Sequence, residues 1–259
     1  MQDLTLALIQ TDVVWHNPEA NKKALEAKIK GMAKPSDVII LPEMFTTGFT
    51  MDVQENAETE SGPTLKWMQQ IATQKNMFIT GSIIIEEAGK FFNRLYWVAP
   101  NGKFIKYDKR HLFRMADEEK HFTGGESSPV VEAKGWKIKP LICYDLRFPV
   151  WSRNLNLEYD VLLFVANWPK ARIGAWDTLL KARAIENLSY TVGVNRVGQD
   201  GIGIEYNGQS IGYDFKGEPV IDKTEQETIL YVNLSKTKLV EYREKFPAFK
   251  DADSFHIHK

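Results

Sequence analysis

Six predominantly apolar runs of strand length recur along the chain: Leu4 to Gln10, Asp37 to Leu41, Met77 to Ile85, Lys137 to Cys143, Asp160 to Ala166 and Tyr190 to Asn195. None shows the strict apolar–polar alternation of a strand with one wet face, so each is expected to be covered on both sides. Between them, Glu19 to Ala33, Thr64 to Lys75 and Trp176 to Asn187 carry apolar residues at helical spacing. Strands that alternate with helices in this way predict an α/β fold with helices laid over a largely parallel sheet. Two further segments do alternate: Phe91 to Ala99 with Lys103 to Tyr107 across Pro100-Asn101-Gly102, and Gln209 to Phe215 with Thr228 to Val232. Both are expected to form antiparallel pairs, which makes the sheets mixed. Without repeats, low-complexity tracts or a Ser/Gly-rich linker, residues 1–259 read as one domain. A C-terminal tail from about Lys236, carrying Pro247 and scattered charges, is expected either to dock on a partner subunit or to be mobile.

Charge narrows the possible partners. With 33 Lys+Arg against 34 Asp+Glu the formal net charge is -1, so no global field draws the protein to nucleic acid or to an anionic membrane. A small-molecule substrate fits better, and 43% hydrophobic residues suffice for a substantial core around a pocket. The Leu4 to Ile9 run lacks a cationic start and is bounded by Gln10, Thr11 and Asp12, so it reads as a buried strand and not a signal peptide. No apolar run approaches the roughly 20 residues of a membrane-spanning helix. One cysteine cannot form an internal disulfide, and a lone thiol suits a reducing compartment, so the cytoplasm is expected.

That cysteine, Cys143, ends the run Pro140-Leu141-Ile142 and opens the polar segment Tyr144-Asp145-Leu146-Arg147-Phe148-Pro149. A free cysteine is often only a small buried hydrophobe. Strand ends in α/β folds, however, are where ligands bind. Three groups could activate the thiol. Glu43 follows Val38 to Pro42 at the edge of the core, where partial desolvation raises a carboxyl group toward general-base range; a turn or helix-cap glutamate is the plainer alternative. Lys109 lies in a basic cluster closely bracketed by Tyr107, Leu112 and Phe113, and a compact ammonium suits a developing oxyanion. Glu118 and Glu119 follow in an acidic run that is otherwise a solvated face. Together these groups offer a nucleophile, a proton carrier, and a cation that lowers the thiol pKa and holds an oxyanion, a set suited to hydrolysing carbon–nitrogen bonds. The 5 histidines show no metal-ligand spacing, so neither metal nor cofactor is expected.

Leu41-Pro42-Glu43-Met44-Phe45, Lys109-Arg110-His111-Leu112-Phe113 and Ile142 to Pro149 resemble, in order, the three catalytic motifs of the nitrilase superfamily. The resemblance extends from Leu4-Ala7-Leu8-Ile9-Gln10 through Ala166-Asn167-Trp168-Pro169 and Arg183-Ala184-Ile185-Glu186-Asn187 to Val194-Asn195-Arg196-Val197-Gly198. Phe45-Thr46-Thr47-Gly48-Phe49 and the short length make the chain most similar to the omega-amidase branch. The resemblance implies a four-layer αββα sandwich whose subunits pair through helices, with Glu43, Lys109 and Cys143 as the catalytic triad. The family's second glutamate precedes a turn that here reads Thr123-Gly124-Gly125; counted back from Gly125 it falls on Glu118, with Glu119 adjacent.

Lys109 and the backbone N–H of Tyr144 would hold the oxyanion, and the acyl group would pass through a thioester on Cys143. The branch further implies a terminal carboxamide with a 2-oxo-carboxylate at the far end, such as 2-oxoglutaramate or 2-oxosuccinamate. A carboxylate tail calls for a cation. Arg172, with Lys170 nearby, is the first candidate; Arg147 is the second, with a structural ion pair to Asp145 as its alternative. Phe45, Phe113, Tyr144 and Trp168 are candidate pocket walls, although such aromatics also serve as ordinary core. Hydrolysis of a small nitrile is the rival of the same chemical class. A redox sensor or a noncatalytic binding module is the rival from another class; the first lacks a resolving thiol, and the second would be expected to lack a triad member. A homodimer is expected, formed through Pro149 to Leu157 and the Trp176 to Asn187 helix.

Overall fold

The computed structural model describes residues 2–257. The first half of the chain forms β1 (Leu4–Gln10), α1 (Pro18–Lys30), β2 (Val38–Ile40), α2 (Val53–Asn56), β3 (Glu58–Thr59), α3 (Pro63–Lys75), β4 (Phe78–Glu87), β5 (Lys90–Val98) and β6 (Phe104–Asp108). The middle follows with α4 (Glu118–His121), β7 (Val131–Ala133), β8 (Trp136–Ile142), α5 (Pro149–Ser152), β9 (Val161–Ala166), α6 (Ile173–Asn187) and β10 (Tyr190–Asn195). The last part adds β11 (Val197–Gln199), β12 (Glu205–Asn207), β13 (Ile211–Tyr213), β14 (Thr228–Leu234) and α7 (Lys236–Lys245).

Local chemistry sets the helix bounds. Asn17 caps α1 by accepting the Ala20 N–H at 3.0 Å, Pro18 takes the first helical position, and Gly31 ends the helix. The helix is therefore shorter than the apolar spacing predicts. In contrast, α6 starts three residues ahead of Trp176, directly out of the turn Lys170–Arg172.

Two sheets stack face to face. The larger runs β14-β1-β2-β4-β5-β6, with β3 also paired to β4, and the smaller runs β13-β10-β9-β8-β7; β11 and β12 form a separate ribbon. β1, β2 and β4 are mutually parallel, as are β8, β9 and β10, whereas β14, β5, β13 and β7 pair with them antiparallel. The two faces of the larger sheet go to different layers. Ile9, Ile39 and Leu41 meet Leu25 and Ile29 of α1 and Leu65, Met68 and Ile71 of α3. Leu4, Leu6, Leu8, Val38 and Ile40 face the second sheet, whose far side is covered by Trp176, Leu180 and Ala184 of α6. The result is the four-layer αββα sandwich. α6 lies so close to β10 that a Cβ on Gly193 would come within 2.5 Å of the Trp176 ring.

The first expected hairpin is present, with Leu95 opposite Tyr107 and Val98 opposite Phe104. The second expected pair is not a pair. β13 adds to β10 in the smaller sheet, while β14 runs along β1 in the larger one, from Leu4 opposite Leu234 to Gln10 opposite Thr228. Alternation marks which face of a strand is apolar, but says nothing about its neighbour. Val232 and Leu234 find burial beside Leu6 and Leu4 instead.

The tail beyond Lys236 also departs from expectation, because α7 is seated on its own chain. Leu239 is fully buried, and Arg243 donates to Leu188 O at 2.8 Å, Tyr159 O at 2.8 Å and Asp160 Oδ1 at 2.9 Å. Lys236 pairs with the other Asp160 oxygen. Removing one partner of such a buried network leaves polar groups desolvated and unmatched, which costs on the order of 3 kcal/mol. Arg243→Ala is therefore expected to lower the unfolding free energy in urea by about 2–4 kcal/mol with an unchanged m-value; a loss under about 0.5 kcal/mol would show that α7 contributes little.

Candidate active site

Strands of both sheets end near one place, and three of them, β2, β6 and β8, are followed by functional side chains. β2 runs out through Leu41, whose N–H still bonds Thr80 O at 2.8 Å, and Pro42 to Glu43. Met44 then turns the chain with φ of 42°, its N–H held by Ser82 Oγ at 3.0 Å. Lys109 follows β6 and is fixed at both backbone groups, donating to Asn93 O and accepting from Gly125 N–H, each at 2.9 Å. Glu118 opens α4. Cys143 directly follows β8 and opens a short 3-10 turn that runs to Arg147.

Lys109 Nζ lies 3.0 Å from Glu43 Oε1 and 2.9 and 3.0 Å from the two Glu118 oxygens. The lysine side chain is 1% exposed and both carboxylates are 0% exposed. Both carboxylates also accept from other donors. Glu43 accepts from Asn93 Nδ2 at 2.8 Å and from the Asn167 N–H at 2.8 Å, and Glu118 accepts from the Phe113 N–H at 2.6 Å. The Asn167 side chain reaches back to the Glu43 carbonyl at 2.6 Å. Cys143 Sγ lies 3.9 Å from Asn167 O, and the thiol stands close enough to Glu43 to feel its charge.

Burial and charge set the protonation states in opposite directions. Burial works against the Lys109 ammonium, but the charges of Glu118 and Glu43 outweigh it and hold its pKa far above the ordinary lysine range. Glu118 is pushed up, chiefly by burial, with Lys109 opposing. The Cys143 thiol is pushed well above the ordinary range by burial and then by the Glu43 charge, with Lys109 only partly compensating. Lys109 lowers the thiol pKa as expected, but burial and the Glu43 charge outweigh it. The Lys109 ammonium is shared with two carboxylates, and the upward shift favours the protonated thiol at Cys143.

The cluster opens on a cavity of about 460 Å³. Phe113, Tyr144, Arg147, Trp168 and Arg172 all line it, as do Cys143 and Lys109. Phe45 does not. Its side chain is fully buried in the outer layer, 5.9 Å from the Trp67 ring and so close to β4 that a Cβ on Gly81 would come within 2.8 Å of it. The left-handed turn at Met44 sends the next side chain into the core. Phe49, four residues on and past the positive-φ Gly48, takes the wall position instead, with Lys109 Nζ 5.1 Å from its ring centre.

Arg147 forms no ion pair with Asp145, whose carboxylate is bound by Tyr107, His111 and the Ile142 N–H. Arg147 lies over Trp168 at 5.0 Å and Arg172 over Phe113 at 5.3 Å. Among the described residues neither guanidinium has a carboxylate partner, whereas Lys170 is tied to Glu205 at 3.2 Å and does not line the cavity. Glu119 faces Arg114 at 3.4 Å, and Glu118 is the acid that reaches Lys109. Sequence reasoning missed Asn93 and the Asn167 contacts. Asn167 stood within a quoted motif, but Asn93 sits mid-strand with no local signal.

The sandwich and this buried acid–lysine–thiol cluster define a class, the hydrolases of carbon–nitrogen bonds. The carbon-nitrogen hydrolase family model matches residues 5–244, and the chain belongs to that family, the nitrilase superfamily, within its YafV branch. The chain is 46% identical to omega-amidase YafV of Escherichia coli (strain K12) over 99% of its own length and 100% of that protein. It is 32% identical to the 2-oxoglutaramate amidase of Bacillus subtilis (strain 168), covering 95% and 96% of the two chains. A crystal structure of XC1258 from Xanthomonas campestris, described as a CN-hydrolase superfamily protein with an arsenic adduct in the active site, superposes with a TM-score of 0.97 at 44% identity over 100% of both chains.

A raised thiol pKa means that Cys143 keeps its proton at pH values where an exposed thiol has lost it. The rate of alkylation by iodoacetamide in the free protein is therefore expected to keep rising with pH beyond the ordinary thiol value of about 8.5. A profile that levels off below that value would contradict the protonated resting state.

Proposed function

We propose that this chain is an omega-amidase that hydrolyses the terminal carboxamide of a 2-oxo-dicarboxylate monoamide, such as 2-oxoglutaramate or 2-oxosuccinamate, to the acid and ammonia. The observation that carries the reading is that Lys109 and Cys143, with Glu43 bonded behind the lysine, share one cavity with two arginines without acid partners. The names of the relatives agree with it.

The geometry supports a two-stage acyl transfer. Glu43, whose charge bears on the thiol, takes its proton as sulfur attacks the amide carbon. The carbonyl oxygen becomes an oxyanion held by the Lys109 ammonium and by the Tyr144 N–H, which lies in the first turn after the nucleophile and precedes the turn's own hydrogen bonding. Each such donor contributes on the order of 3 kcal/mol to the transition state. Glu43 returns the proton to nitrogen, ammonia leaves, and the acyl group remains as a thioester on Cys143. Glu43 then takes a proton from water, which attacks the thioester, and the proton returns to sulfur as the acid departs. Glu118 holds Lys109 on the side away from Glu43 throughout.

Cys143→Ala is expected to abolish ammonia release from every member of a panel of omega-amides, simple amides and small nitriles, with an unchanged melting temperature. Release from a nitrile alone would assign the nitrile chemistry, and no release from any compound by the unmodified protein would assign a binding module. The arginines are tested separately. A charge-assisted hydrogen bond is worth about 1.5–3 kcal/mol, so Arg172→Met or Arg147→Met is expected to raise KM for the oxo-carboxylate amides by roughly 10- to 100-fold while leaving that for propionamide unchanged. Equal effects on both substrates would remove the arginines from tail recognition.

The single thiol fits a cytoplasmic setting. A homodimer is supported by the exposed apolar side chains of Val150 in α5 and Ile185 in α6, and sedimentation equilibrium reporting only monomer would refute it.

A further inference from the structure

Cys143 adopts φ of 42°, the left-handed region that costs a residue other than glycine about 1–2 kcal/mol. Something must hold it there, and β8 has already ended at Ile142. Two residues on, Asp145 is fully buried and is bonded on both oxygens. Its Oδ2 accepts the N–H of Ile142 at 3.1 Å and the Tyr107 hydroxyl at 2.7 Å. Its Oδ1 accepts the His111 N–H at 3.0 Å and lies 2.8 Å from His111 Nδ1, which must carry a proton because the carboxylate can only accept. Ile142 immediately precedes the nucleophile, while Tyr107 and His111 stand two residues to either side of Lys109.

From this arrangement we infer that Asp145 is a positioning residue that locks the nucleophile's turn to the lysine loop, so that the Cys143 sulfur and the Lys109 ammonium keep one relative placement. The inference rests on the catalytic reading proposed above. Two more contacts reinforce the lock. The His111 ring stacks on Phe148, at the end of the same turn, with centroids 3.7 Å apart and planes 5° apart. Tyr107 accepts the Trp151 Nε1–H at 3.0 Å, and burial together with the Asp145 charge pushes its pKa well up, so its own proton stays available to Asp145. The lock also explains why Arg147 faces the cavity: no acceptor on Asp145 is left for it.

A misplacement near 1 Å can cost on the order of 100-fold in rate. Asp145→Asn keeps the shape but turns one acceptor into a donor, so it must set an N–H against either Ile142 and Tyr107 or His111. The variant is expected to lower kcat by on the order of 30- to 100-fold, with KM within about twofold of the parent. Because the chain has one cysteine, iodoacetamide reports the same sulfur directly, and its alkylation rate in the free protein is expected to change along with kcat. Tyr107→Phe and His111→Ala remove one side of the lock each and are expected to give smaller losses in kcat. His111→Asn, whose amide can donate to the same oxygen, is expected to recover most of the His111→Ala loss.

A folded Asp145→Asn protein with parental kcat and alkylation rate would overturn the inference, as would a rise in KM alone. If Asp145→Asn does not fold, parental kcat in both Tyr107→Phe and His111→Ala would overturn it equally. Full activity of Asp145→Asn beside an inactive Cys143→Ala would remove the lock alone, whereas activity retained in Cys143→Ala would remove the thioester mechanism itself.

Discussion

The arrangement of the site depends on burying one ammonium between two carboxylates. Taking Lys109, Glu43 and Glu118 out of water carries a desolvation penalty of several kcal/mol per ion, recovered only where geometry is close and further hydrogen bonds are made. Here they are made by Asn93, by the Asn167 N–H and by the Phe113 N–H, which come from β5, from the end of β9 and from the loop before α4. Those donors come from both sheets and a loop, so the ion cluster is a product of the whole sandwich. The same charge balance governs the thiol. The pull of Lys109 on the Cys143 proton is weaker than burial and the Glu43 charge together, which push the thiol pKa up. In the mechanism proposed above, Lys109 acts where new negative charge appears, on the substrate oxygen.

The two sheets make this possible by ending together. Glu43 and Lys109 come from the larger sheet and Cys143 from the smaller, while the intervening core of Leu6, Leu8, Ile40, Leu141 and Phe164 fixes the distance between the sheets. The chain leaves its strands abruptly at both sites, with left-handed residues at Met44 and at Cys143. Such backbone is retained only where the surroundings over-determine it. At Met44 the restraint is Ser82 on β4, and at Cys143 it is the bonded carboxylate of Asp145.

Much of this was legible in the linear chain. Buried parallel strands read as continuous apolar runs because both faces are covered, so β1, β8, β9 and β10 were visible within a residue or two. Glu43, Lys109 and Cys143 were visible because each directly follows such a run or hairpin. Partner choice was not. β13 and β14 carry patterns that suit a hairpin, yet they belong to different sheets, because an apolar face records that a strand is buried and not what buries it. The fate of the tail was hidden for the same reason: Leu239 and Arg243 find their partners in Tyr159, Asp160 and Leu188, far away in the chain.

By itself, then, the sequence determined the strand–helix order, the apolar faces and the three chemical groups at strand ends, since these follow from periodicity and residue type over a few neighbours. Tertiary structure decided which of two adjacent glutamates meets the lysine, because one residue along α4 turns a side chain by about 100° and sends Glu119 to Arg114 instead. It decided that Phe49 and not Phe45 walls the cavity, through one left-handed residue that no propensity announces. It decided, too, that Arg147 is left without Asp145, because Tyr107, His111 and Ile142 occupy that carboxylate first. Each of these outcomes depends on where long-range partners stand, and hydrogen-bond geometry over about 3 Å is settled only once the sheets have packed.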